Sequence, residues 1–205
     1  MSPLEHVYWI GGGSGAGKST VAQRIAAEHG LRYYSTDDAM SDHAARSTPD
    51  SAPELHRFLA MDMDERWATR SPDVMLETFH WFRGEGFEHI VEDLTATPEP
   101  VVAEGFRLLP ELVAPLLANS NQAVWLLPTP EFRRHAFDTR GTTWHLANTT
   151  GDPTRALGNL LTRDHLFTTR LAEQTKALHL NAIQVDGGRT EDELCQAIAG
   201  IFFRK

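Results

Sequence analysis

Eight residues near the amino end, GGSGAGKS from Gly12 to Ser19, carry the spacing G-x-x-x-x-G-K-[ST] at every fixed position. The chemistry open to such a run is to hold a polyphosphate. Glycines free the backbone to turn, so that the N–H groups of Gly13, Ser14, Gly15, Ala16 and Gly17 aim at phosphate oxygens. A helix that begins where the loop ends adds the partial positive charge of its N-terminus. Lys18 is then expected to bridge the β- and γ-phosphates of ATP, Ser19 to ligate Mg²⁺, and Thr20 to donate to the α-phosphate. The plain alternative is a chance glycine loop. The run follows an apolar strand and precedes a helical segment, which argues against that alternative.

A phosphate loop names a nucleotide site and leaves the reaction open; other residues narrow it. The run STDD closes a second strand and sets Asp37 and Asp38 at the carboxyl edge of the sheet, where open parallel sheets bind ligands. A carboxylate there can take a proton from a substrate hydroxyl or orient it toward the γ-phosphate. Asp38 is slightly favoured over Asp37 and is also expected to touch the substrate; the competing role for the pair is a helix N-cap. VVAEGFR ends a buried-type strand at Glu104, which is expected to complete a Mg²⁺ site with Ser19. Gly105 is read as room for substrate and Arg107 as a partner for an anionic group on it, against the plain reading of an exposed turn.

Arginines gather after the fourth strand, against the acidic average of the chain: Arg133, Arg134, Arg140, Arg155, Arg163 and Arg170. Phosphoryl transfer needs cationic donors that close over the γ-phosphate and exclude water. Arg163 and Arg170, seven residues apart on one helix face, are assigned to catalysis and Arg134 to the nucleotide. After the fifth strand, Gly187 in VDGGRTEDEL can set backbone against a purine ring, while Thr190 and Glu193 form a capping box. Trp67, Phe79, Trp81, Phe82 and Phe87 are available for a flat or apolar acceptor, with Trp67 and Trp81 foremost. Their plain reading is the core of a helical insertion.

The elements that must position these residues alternate short apolar runs with longer helical segments, the pattern of a parallel sheet covered by helices. Strands are expected at Val7–Ile10, Leu31–Ser35, Pro100–Glu104, Ala123–Leu127 and Ala182–Val185. Residues 51–97 read as helical, broken near Pro72 and Gly84–Gly86; Thr139–Asp152 reads as a Gly/Thr/Asn-rich loop; a long helix runs over about 153–178. The whole of 1–205 is one domain, with a helical insertion at about 39–98 and a lid at about 133–170. The net charge of -9 excludes a nucleic-acid coat, which needs a basic face. The single cysteine, Cys195, reads as core filling, and the histidines show no metal-ligand spacing. No secretory leader precedes Val7, and no apolar run nears the roughly 18 residues of a membrane span. A cytoplasmic monomer or homodimer without membrane contact is expected.

Taken in order, the phosphate loop, STDD, AEGFR and the arginine-rich segment resemble the P-loop nucleotide and small-molecule kinases. That class includes adenylate, shikimate, gluconate and uridine kinases and the chloramphenicol phosphotransferases. The resemblance implies a three-layer α/β fold, a five-stranded parallel sheet in the order 2-3-1-4-5, a helical substrate insertion and an arginine-bearing lid. It places the adenine turn at Val185–Gly188. Two departures from adenylate kinases bear on the acceptor. Ser41 stands where those enzymes carry an arginine for the acceptor phosphate, and Glu-Gly-Phe-Arg is one residue shorter than their Asp-Gly-Phe-Pro-Arg. The double aspartate is similar to that of kinases with an alcohol acceptor. Expected, then, is an ATP- and Mg²⁺-dependent phosphotransferase acting on the hydroxyl of a small molecule. The alternatives are a nucleoside-monophosphate kinase and a P-loop ATPase or regulatory module. The N-K-x-D motif of guanine-reading switches is absent.

Overall fold

Among the described residues, five runs become strands: β1 (Val7–Gly12), β2 (Arg32–Ser35), β3 (Val101–Glu104), β4 (Ala123–Pro128) and β5 (Asn181–Val185). They pair in parallel in the order β2-β3-β1-β4-β5, as the resemblance implies. The near-continuous apolar runs β1, β3 and β4 lie at the centre, where both faces are covered. β5 alternates between exposed and covered residues and forms an edge. The computed structural model describes residues 4–140 and 142–204. Residues 1–3, Gly141 and Lys205 of the expected single domain, Gly141 being also in the expected lid, lie outside the described residues.

Helices follow as α1 (Lys18–His29), α2 (Met40–Arg46), α3 (Pro53–Ala60), α4 (Pro72–Thr78) and α5 (Phe87–Thr95). After β3 come α6 (Pro110–Val113), α7 (Pro130–Arg140), α8 (Thr142–Ala147), α9 (Pro153–Ala177) and α10 (Glu191–Phe202). Successive strand residues face opposite layers. Trp9 therefore joins Ala103, Trp125, Ile90 and Phe167 on the side of α5 and α9, whereas Ile10 joins Ile25, Val124 and Ile198 on the side of α1 and α10. Cys195 is buried in the second layer, as core filling. No described helix is long and apolar enough to cross a membrane.

The insertion breaks where the sequence indicates. α4 starts at Pro72, its N-cap Ser71 accepting from the Val74 N–H, and Gly84 and Gly86 flank the turn before α5. Its parts are tied by backbone donors: the Glu85 carboxylate accepts from the N–H groups of Glu54 and Leu55 and so caps α3. The expected loop at Thr139–Asp152 is different. α7 runs to Arg140 and α8 occupies Thr142–Ala147, because Ala147 is buried against Phe58, Trp67 and Leu160. Packing on the insertion overrides the weak helix propensity of a Thr- and Asn-rich run. Asp152 then caps α9 by accepting from Arg155, with Pro153 in its first turn.

The carboxyl ends of β2 and β3 are locked together. The Thr36 N–H donates to the Glu104 carbonyl (2.9 Å) and the Gly105 N–H to the Ile10 carbonyl (3.1 Å). Gly105 sits at φ +147°, and a Cβ built on it would lie 1.7 Å from the Thr36 hydroxyl oxygen. The space that Gly105 leaves is thus filled by Thr36, which corrects the expectation that it admits substrate. Gly105→Ala is expected to destabilise the fold by about 3 kcal/mol or more, from strain and overpacking together. Adding Thr36→Ala should recover part of that loss in urea denaturation; a Gly105→Ala chain as stable as wild type would refute this account.

Candidate functional site

α1 differs from the other long helices in having an open N-terminus. α9 and α10 are capped by Asp152 and by the Thr190–Glu193 box that the sequence predicts. α1 has no side-chain cap and no acidic residue in its first turn. No side chain of the protein caps this end, and the helix dipole there favours an anion. Gly17 enters the helix in the left-handed region, at φ +79°, which lets the loop from Ser14 fold over that end. The loop carbonyls face cations instead. Lys18 Nζ donates to the Gly13 carbonyl (3.0 Å), and Arg133 Nε to the Ser14 carbonyl (3.3 Å). A cavity of about 480 Å³ opens here, lined by Ser14–Ser19 together with Asp37, Phe106, Arg163 and Asp164.

Two acids stand at its edge. Glu104 is 1% exposed and accepts from the Tyr33 hydroxyl at 2.9 Å. Burial pushes its carboxyl up; Lys18 and the hydroxyls of Tyr33 and Ser19 pull it down, while Asp37 raises it further. The structure therefore brings Ser19 and Glu104 together, as expected for the metal pair. Asp37 is also pushed up, by crowding of protein around its carboxylate, against the pull of Lys18 and Arg107. The residue is nevertheless exposed. That exposure governs what the group can do: it stays within reach of a ligand. Asp38 is also exposed but is not among the cavity-lining residues, and its backbone N–H is on the Ser35 hydroxyl (3.2 Å). The preference for Asp38 over Asp37 is thereby reversed. Hydroxyl and carboxylate oxygens suit Mg²⁺, which is usually held by one or two protein groups and substrate phosphates. Among the described residues no group of three or more His, Cys, Asp or Glu could cage an ion alone.

The arginines divide sharply. Arg163, 7% exposed, lines the phosphate cavity and is fixed through Nε and Nη2 to Asp164 (3.0 and 2.7 Å). Arg170 does not share that site. It pairs with Glu77 and lines a separate surface pocket with Leu109 and Gln174, so it ties α9 to α4. Seven residues give a common face but also about 10 Å of rise along the helix. Arg134 lines a different cleft, with Pro130 and Asp138, and Gly187 lies apart from it against the Phe132 ring. These two expected nucleotide contacts share no cavity. Arg107 is 2% exposed, so it meets no substrate anion. It donates to the carbonyls of Thr36 (3.2 Å) and Gly86 (3.1 Å) and to His43 Nδ1 (2.9 Å), and stacks over Trp81. Burial lowers its pKa to about 10.

A second cavity, of about 290 Å³, adjoins the first and shares Ser14, Met40, Phe106, Leu146 and Arg163 with it. Its other walls are aromatic. Trp67, Phe79, Trp81 and Phe82 line it as anticipated, while Phe87 belongs to the core beside the sheet. His80 is a wall residue that the sequence does not single out, since a lone residue in a helical run carries no spacing signal; Arg133, expected in the lid, instead holds the Ser14 carbonyl of the loop. Among the described residues, three lining side chains each have one buried polar atom without a hydrogen-bond partner: Trp67 Nε1, His80 Nδ1 and Arg163 Nη1. Each such orphan costs roughly 1–3 kcal/mol. Burial drives His80 down to about 3, aided by Arg107 and Arg66, so it is neutral at ordinary pH.

The family model described as "AAA domain" matches residues 11–78, which take in the phosphate loop and much of the insertion. Among solved structures, a gluconokinase from Sinorhizobium meliloti 1021 is similar over 97% of this chain and 92% of its own, at 19% identity and a TM-score of 0.52. An uncharacterized protein from Eubacterium ventriosum ATCC 27560 is similar over 98% of this chain and 99% of its own, at 14% identity and a TM-score of 0.53. No curated protein matches the sequence. At these identities the likeness establishes the fold, and the fold is the P-loop kinase type.

Arg107→Ala should cost about 3 kcal/mol or more, because two buried carbonyls and His43 lose their donor. Arg170→Ala should change stability by no more than about 1 kcal/mol, as for an exposed ion pair, and leave turnover as in wild type. The reverse ranking in urea denaturation would refute the division drawn here. His80 predicts a pH effect. Its folded pKa lies below its unfolded value of 6.5, so stability is unaffected above that pH and falls as pH drops toward about 3. Between pH 7 and pH 5 wild type should lose roughly 2 kcal/mol more than His80→Gln. Equal losses would place the His80 ring in contact with solvent.

Proposed function

We propose that this chain is a Mg²⁺- and ATP-dependent phosphotransferase that passes the γ-phosphoryl group to a hydroxyl of a small molecule. One observation carries the reading. The cavity at the open N-terminus of α1 and the aromatic cavity share a wall, with Arg163 and Phe106 in both and Asp37 at the edge of the first. Two sites that meet along a common wall are what a transfer between two bound reactants requires, because most of the gain is positioning and electrostatic stabilisation.

The residues take these roles. Backbone N–H groups of Gly13–Gly17 and the first turn of α1 hold the phosphate oxygens, and Lys18 supplies the charge for the β/γ side. Ser19 and Glu104 would hold Mg²⁺, which when bound neutralises charge between the two outer phosphates. Asp37 accepts the proton of the acceptor hydroxyl as its oxygen forms the new bond to phosphorus. The bond from phosphorus to the bridging β–γ oxygen breaks, and ADP leaves with that electron pair beside Lys18. Arg163, held in place by Asp164, lines both cavities and adds positive charge where the phosphoryl group crosses between them.

Lys18→Ala should abolish most acceptor-dependent ADP release while keeping the native melting transition. Asp37→Asn should bind Mg·ATP in titration yet lose about 10²- to 10⁴-fold in rate, the range for a positioned general base. Asp38→Asn should stay within about threefold of wild type, as a carboxylate outside the base's position. A Lys18→Ala enzyme with wild-type turnover would overturn the phosphate-loop assignment. An Asp38→Asn loss larger than that of Asp37→Asn would exchange the two aspartates.

A further inference from the structure

The aromatic cavity limits what the acceptor is. Its volume of about 290 Å³ is about twice the roughly 150 Å³ of an apolar cavity that accommodates a benzene ring. That admits one substituted ring or two fused rings. Its walls are Trp67, Phe79, Trp81 and Phe106, rings whose faces and edges favour another ring over an open chain. A polyol or sugar acid would bring several hydroxyls against these rings, and each one covered by them would need a partner. The wall residues Trp67, His80 and Arg163 have three unpartnered buried polar atoms among them.

The types of those atoms are specific. Arg163 Nη1 and Trp67 Nε1 are donors only, so their missing partners are acceptors. The two residues are neighbours, with the Arg163 guanidinium over the Trp67 ring, 5.3 Å from its centroid. His80 adds a neutral imidazole whose Nδ1 takes either role. Arg163 and Ser14 also form the shared wall that leads to the cavity containing Lys18 and Asp37.

We infer, resting on the kinase reading above, that the acceptor is an aromatic or heteroaromatic alcohol of one ring or two fused rings. It carries a carbonyl or carboxylate oxygen for Arg163 and Trp67, and its hydroxyl is directed toward Asp37. Trp67 and Arg163 thereby determine acceptor specificity, and Trp67 does so without contact to the transferred phosphoryl group.

The test is calorimetric titration with Mg²⁺ and a non-hydrolysable ATP analogue present, using 4-(hydroxymethyl)benzoate, benzyl alcohol and D-gluconate as probes. The carboxylated aromatic alcohol should bind, benzyl alcohol should bind about tenfold more weakly for want of the acceptor oxygen, and gluconate should not bind. Trp67→Phe keeps the ring and removes only the N–H; it should weaken 4-(hydroxymethyl)benzoate about tenfold and leave benzyl alcohol and the ATP analogue unchanged. Arg163→Lys should weaken the same probe even if the Asp164 pair holds the fold. Gluconate binding as tightly as the aromatic probes, no binding of either aromatic probe, or an unchanged Trp67→Phe titration would each overturn the inference. Phosphoryl transfer is scored separately, as ADP released from ATP. Aromatic binding without ADP release would sink the kinase reading and leave the cavity's selectivity standing; transfer to gluconate with no aromatic binding would do the opposite.

Discussion

The uncapped N-terminus of α1 is the feature on which the rest of this molecule is arranged. A helix end left without side-chain partners normally relies on water or on a ligand, and here the loop over it turns its carbonyls away. Lys18 and Arg133 take two of those carbonyls, and Arg133 is itself held by Thr168 of α9. The loop therefore depends on α7 and α9, elements more than a hundred residues further along the chain. The parallel sheet makes this economy possible. β1 delivers the loop, while its neighbours β3 and β4 deliver Glu104 and the start of α7 to the same edge.

Buried cations do the remaining structural work: Arg163 is paired with the Asp164 carboxylate, whereas Arg133 and Arg107 are answered by backbone carbonyls, a hydroxyl, an imidazole and a ring face. Arg107 joins the end of β2, the turn before α5 and His43. Because Arg107 can only donate, His43 accepts at Nδ1 and must donate from Nε2 to Asp93, which also accepts from Tyr34 and Arg46. Burial holds the His43 ring below its ordinary range, although the Asp93 contact pulls the other way. One chain of polar contacts thus couples the acidic STDD turn to α2 and α5 of the insertion. Motion of the insertion relative to the sheet has to strain these bonds, so the aromatic cavity and Asp37 keep a common frame.

What could be read in the sequence divides along the same physical line. The strand ends and the breaks at Pro72 and Gly84–Gly86 were legible because local rules set them: apolar runs, proline at a helix start, glycine at positive φ. Sheet order is non-local and came only from the resemblance that the phosphate loop carries. The cradle was legible because its spacing is its mechanism. Arg170 was misread because a shared helix face says nothing about distance along the axis, and Arg107 because its burial depends on Trp81 and Gly86 from remote segments. The ranking of Asp37 and Asp38 turned on which one borders the cavity, something adjacent positions at a strand end do not reveal. α8 replaced an expected loop because Ala147 packs against Trp67, a contact no local propensity encodes.

The balance of charge at the sheet edge shows why a polyphosphate with a divalent ion suits it. Glu104 and Asp37 are both pushed up by loss of solvent, and Asp37 raises Glu104 further. Lys18 draws both back down, but one ammonium cannot serve two carboxylates and the β/γ oxygens at once. A Mg²⁺ between Glu104, Ser19 and phosphate would relieve the first carboxylate and free Lys18 for the phosphates. Asp37 would then be left as an exposed carboxylate on the wall of the phosphate cavity, open to a ligand. Its carboxyl is raised by desolvation against the pull of Lys18 and Arg107, which would suit it to take a proton.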